Sequence, residues 1–137
     1  MQSAESMNDI EWKPVTLVVD ENEQHRMRLV SHLRDSNLNV VEAASVDELL
    51  IQVDSVQPNL IVLAENMKLL DGFQLCALLR EHRAEYKLYI VLLLEEVSQF
   101  KRYKAQNVGA DAVVEKRSET NKECCHVKIE RLIRSLA

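Results

Sequence analysis

Glycine and proline are scarce, two of each in 137 residues, which leaves little room for long irregular loops or a flexible linker. Cysteine is nearly as rare. Cys76, Cys124 and Cys125 form an odd set with two adjacent members, a poor disulfide framework, and point to a reducing cytoplasm. Aromatic residues make up 4% of the chain, and 17 Lys+Arg face 22 Asp+Glu, for a net charge of -5. A nucleic-acid footprint needs a basic surface, so no nucleic-acid partner is expected. The longest apolar run, Leu88 to Leu94, falls far short of the ~20 residues that span a bilayer. Glu5, Asp9 and Glu11 leave no apolar stretch at the start, so neither a secretory signal nor a membrane partner is expected.

What is present is ordinary globular material, 47% hydrophobic and 28% charged. The length suits one domain, enough to bury roughly two-thirds of its unfolded surface. Residues 1–14 are polar and aperiodic and read as an N-terminal arm, with Trp12 as its anchor; residues 15–137 form the domain. The Cys124-Cys125-His126 run invites a zinc reading, but zinc ligands are usually spaced C-x2-4-C and no second pair exists. No metal is expected there.

Val15 to Val19 is a short β-branched run closed by Asp20 and Glu21, the pattern of a buried strand with carboxylates at its end. Met27, Leu29, Val30 and Leu33 predict a helix over 22–36. Asn39 to Ala44 reads as a second strand, and Ser45 with Glu48 forms a capping-box signature opening a helix through Val46, Leu49, Leu50 and Val53. Leu60 to Leu63 is apolar at every position. Asp71-Gly72 signals a turn before a helix that runs to about Tyr86. A fourth strand over 88–94, a helix over about 98–107, a fifth strand over 112–115 and a last helix over about 119–136 complete the chain. Strands alternating with helices imply a parallel sheet covered on both faces, with sites gathering at the carboxyl ends of the strands.

Order and spacing resemble the receiver domains of bacterial two-component response regulators, over residues 15–137. That resemblance implies a flavodoxin-like (βα)5 fold, a doubly wound five-stranded parallel sheet in the order 2-1-3-4-5. Its members accept a phosphoryl group on an aspartate ending strand three, beside an acidic pair that binds Mg2+. A Ser or Thr ends strand four, a Lys ends strand five, and an aromatic residue often lies within strand five. In Val18-Val-Asp20-Glu21 the acidic pair is retained, and Lys116, seven residues after Gly109, looks like the family lysine. Counting six forward from Pro58 or eight back from Gly72 lands on Ala64 for the acceptor. Leu94 stands for the Ser/Thr, Val113 for the aromatic residue, and Arg117 for the proline that usually follows the lysine.

An alanine methyl cannot attack phosphorus, and a leucine cannot hydrogen-bond a phosphoryl oxygen. The resemblance therefore implies the fold while these residues contradict its chemistry, and the chain reads as a pseudo-receiver with no catalytic residue. Asp20, Glu21 and Lys116 make a degenerate acidic pocket where Mg2+ binding is expected to be weak or absent. Lys116 is expected to pair with Asp20 or Glu21, and no cofactor is implied. Glu65 is the nearest alternative acceptor, though strand alternation would aim it the other way. Asp20 and Glu21 could equally cap the helix that follows.

Glu95 and Glu96 read as a solvated pair, the four histidines as ordinary surface or boundary residues, and Cys76 as core. In receivers the face built from helix four, strand five and helix five is a common docking surface. Here Phe100, Arg102, Tyr103, Lys122, Lys128 and Arg131 would supply it, with Arg134 beside them. The expected partner is a protein: a signalling protein, a C-terminal effector domain in a longer chain, or a second copy in a homodimer. A small-molecule sensor in the vacated pocket is a further reading, without a dedicated polar cluster to support it.

Overall fold

A computed structural model describes residues 13–82, 87–116 and 124–136. The predicted arm, with Trp12, lies almost wholly outside them, as do Arg117 and Lys122. Five strands, β1 (Val15–Val19), β2 (Asn39–Ala43), β3 (Leu60–Ala64), β4 (Tyr89–Leu94) and β5 (Ala112–Glu115), form one parallel sheet in the order β2-β1-β3-β4-β5. Five helices alternate with them: α1 (Glu23–Asp35), α2 (Val46–Val56), α3 (Gly72–His82), α4 (Gln99–Asn107) and α5 (Cys125–Arg134). This is the flavodoxin-like arrangement expected from the sequence.

Because side chains alternate along a strand, the sheet has two apolar faces and the protein two cores. Leu17, Val19, Ile61, Leu63, Ile90, Leu92 and Leu94 pack under α2, α3 and α4. Val18, Leu60, Val62, Val91, Leu93 and Val114 pack under α1 and α5, against Leu29, Leu33, Ile129 and Ile133. Both faces are covered, which is why β3 is apolar at every position.

The helix starts follow local chemistry. Asn22 Oδ1 accepts the His25 amide at 3.0 Å, and Ser98 Oγ the Lys101 amide at 3.1 Å. Ser45 and Glu48 exchange bonds as a capping box, with Glu48 reaching back to the Ala44 amide at 2.8 Å. Asp71 and Gln74 do the same at the start of α3. Gly72 is required by close approach, since a Cβ there would lie 2.5 Å from the Ala64 carbonyl oxygen.

The last helix is described from Cys125, where Cys124 is extended (ψ 155) and offers no side-chain cap, and the expected start near 119 lies outside the described residues. α3 is described to His82, and its expected end near Tyr86 lies outside the described residues. Two helix faces differ from the sequence reading. Met27 is 57% exposed, since the buried arc of α1 centres on Leu29, Val30 and Leu33 and leaves it roughly a third of a turn away. Leu50 lies at the edge of the α2 stripe and is 37% exposed.

Candidate functional site

The carboxyl ends of β1, β3, β4 and β5 bring Asp20, Ala64, Leu94 and Lys116 to one end of the sheet. The Lys116 amide donates to the Leu94 carbonyl at 2.6 Å, which sets the lysine beside the β4 terminus. Its ammonium reaches Asp20 Oδ2 at 2.9 Å, and both side chains are deeply buried, 7% and 2% exposed. That contact is off the alignment of a hydrogen bond, so it is Coulombic. Asp20 Oδ1 accepts the Asn22 amide at 2.9 Å, and the Asp20 carbonyl accepts from Arg26 Nη1 at 2.9 Å. Asp20 therefore both entertains the lysine and helps start α1.

Glu21 turns away. Its Oε1 accepts the Lys68 amide at 2.8 Å and anchors the loop after β3. Of the two partners expected for Lys116, the structure provides Asp20. The second partner is Glu95, whose Oε2 lies 3.3 Å from the ammonium, so the solvated reading of Glu95 is corrected. Counting Glu95 with Asp20, Glu21 and Lys116 brings the formal charge of the group to -2, so charge alone does not repel a divalent cation. Geometry does more: the ammonium holds the free oxygen of Asp20, and Glu21 is engaged elsewhere. Among the described residues no group of three His, Cys, Asp or Glu is placed to hold a metal ion.

Ala64 and Leu94 are both fully buried. Leu94 sits in the core with Ala105, and Val97, Val108 and Val113 pack against that cluster. Glu65 lies at the sheet's end too, but its carboxylate crosses to the β4–α4 junction. Oε1 accepts the Glu95 amide at 3.0 Å and Oε2 pairs with Lys101 at 2.8 Å. Glu115 accepts the Val97 amide at 3.1 Å. Two carboxylates and a lysine thus fix the segment that leads into α4.

At the edge of the sheet, α4 and α5 flank β5 from opposite faces. Phe100 and Tyr103 are 69% and 64% exposed, and Arg102 is exposed. Lys128 is half-buried and Arg131 exposed. Arg134 is not a bare charge: it pairs with Glu130 at 3.0 Å and donates to the Ser36 carbonyl at 2.9 Å, tying α5 to α1. The bond from Arg134, then the one donated by the Ser36 hydroxyl, hold the Glu130 carboxyl below its ordinary range.

Cys76 is core, as expected, and burial pushes its thiol up to about 11. The histidines do not all stand alone. His32 and His126 stack with ring centroids 4.0 Å apart and planes within 7°. Burial, then the His32 ring, lowers the His126 pKa. Their 94-residue separation left no pattern to find, since only the packing of α1 beside α5 joins them.

Residues 16–128 match the family described as the response regulator receiver domain. The alkaline phosphatase synthesis transcriptional regulatory protein PhoP of Bacillus subtilis is 30% identical over 95 residues, 69% of this chain and 39% of that protein. The chain therefore spans well under half of that regulator's length. Protein PilG of Pseudomonas aeruginosa is 26% identical over 100 residues, 73% of this chain and 74% of that protein. Among solved structures, the Francisella response regulator 1452 receiver domain is similar with a TM-score of 0.77 at 18% identity, covering 90% of this chain and 96% of that one. This last likeness is one of fold.

Proposed function

The chain belongs to the response regulator receiver family, and from that premise we propose that it is a pseudo-receiver, a signalling module that works without aspartyl phosphorylation. The observation that carries this reading is the buried Lys116–Asp20 pair at 2.9 Å, beside a strand end occupied by Ala64. Parallel pairing of Val19 with Leu63 puts the next residues, Asp20 and Ala64, side by side. A carboxylate at 64 would supply the nucleophile; a methyl group cannot. Mg2+ would have to displace the lysine from Asp20 and turn Glu21 from its loop, and Ala64 offers it no carboxylate at the end of β3.

In place of a switch, the reading assigns a fixed surface. Leu94 is packed in apolar surroundings, and Glu65, Glu115 and Lys101 hold the entry to α4. A ligand shifts an equilibrium only through contacts that differ between states, and none is offered here. The α4–β5–α5 face, with Phe100, Arg102, Tyr103, Lys128 and Arg131 among the described residues and Lys122 from the sequence, would dock a cytoplasmic protein or a second copy. Phosphorylation of Glu65 is the weaker reading, because that carboxylate is occupied by the Glu95 amide and Lys101.

The test is a 15N-HSQC titration with Mg2+ followed by beryllofluoride, a phosphoryl mimic. The expected outcome is silence at Asp20, Glu21, Ala64 and Lys116. Saturating shifts that spread from these residues to Leu94 and Tyr103 would overturn the reading.

A further inference from the structure

On the other face of the sheet, away from Leu94, a cavity of about 170 Å3 opens between α1 and α5. His25, Arg28, His32, Lys116, Cys125 and His126 supply its polar lining, and among the described residues no carboxylate lines it. That is unusual in a chain of net charge -5. The space exceeds the ~30 Å3 share of one water several-fold.

Two polar side chains there lack partners. The Arg28 guanidinium has no ion pair or hydrogen bond among the described residues. His25 Nδ1 is sealed from solvent and likewise has no partner. At the start of α5, Cys124 provides no side-chain cap. Among the described residues, the positive end of the helix dipole is therefore uncapped by a side chain, with Arg28 and Lys116 on the same lining. A metal ion does not fit: the stacked rings of His32 and His126 carry their lone pairs side by side rather than converging.

We propose that this cavity binds a phosphate group, held by Arg28 and the first amides of α5, with the histidines as further donors. Lys116 would add positive charge to the site, since it lines this cavity as well as pairing with Asp20. This site stands apart from the question of phosphoryl chemistry at Ala64. Protonation of His126, disfavoured now by burial and by His32, would be favoured by the anion.

The experiment titrates inorganic phosphate, adenosine monophosphate and sodium chloride into the 15N-labelled chain at matched ionic strength, following Cys125, His126 and the Arg28 Nε–H. Saturating shifts with either phosphate, absent with chloride, are expected, and the tighter of the two ligands identifies a free ion or an ester. Arg28→Ala, an exposed helix position where alanine is favoured, should weaken binding about tenfold or more while leaving the remaining spectrum in place. His126→Ala should weaken it as well. Drift equal to that in chloride, or an affinity unchanged by Arg28→Ala, would overturn the proposal.

Discussion

Lys116 is the residue on which the site turns. Among the described residues its ammonium is the only ion-pair partner of an aspartate carboxylate that is 2% exposed, and its other partner, Glu95, can still reach water. A buried carboxylate stripped of its partner keeps its desolvation penalty and loses the Coulombic return. Lys116→Met should therefore lower the unfolding free energy by about 3–5 kcal/mol, read from urea denaturation at neutral pH. Adding Asp20→Asn to that variant removes the stranded charge and should recover most of the loss. A single variant as stable as the parent would mean that the pair is not structural.

The elements at stake are β4 and α4, joined by a short segment with three side-chain anchors. Glu65 is the most telling, since one carboxylate serves both the Glu95 amide and Lys101. A hydrogen bond to a charged acceptor contributes about 1.5–3 kcal/mol, so Glu65→Ala should speed exchange of the Glu95 amide about tenfold or more. Amides in β1 and β3 should be unaffected. Equal protection of Glu95 in parent and variant would show that the segment is held by packing alone.

At this scale the sequence was largely readable. The β-branched run of β1, the continuous apolar runs of β3 and β4, and the Ser45–Glu48 capping box each carry a local signal that the fold obeys. The longer-range pairings were not readable. Glu95 meets Lys116 only through the parallel register of β4 and β5, and His32 meets His126 only because α1 and α5 share a face. The acid at 95 looked solvated because its partner lies 21 residues on.

For the whole molecule, the two apolar cores lie below the site and owe nothing to it. The fold can persist when the end of β3 carries alanine, because burial of side chains such as Leu63 and Leu92 on one face and Val62 and Val91 on the other drives folding. On the proposed reading, global stability is then independent of Mg2+, and the melting temperature of the parent should not move as Mg2+ is added. Ala64→Asp should change this. A carboxylate at that buried position stands beside Asp20, where two like charges share one lysine, so the variant should melt lower without metal. Mg2+ relieves that repulsion and binds only the folded chain, which raises stability by about 2.7 kcal/mol at a hundred-fold excess over its Kd. Melting curves across a Mg2+ series decide the matter. If parent and variant respond alike, the alanine is not what separates this chain from a metal-binding receiver, and Asp20 and Glu21 must be able to release their present partners to the cation.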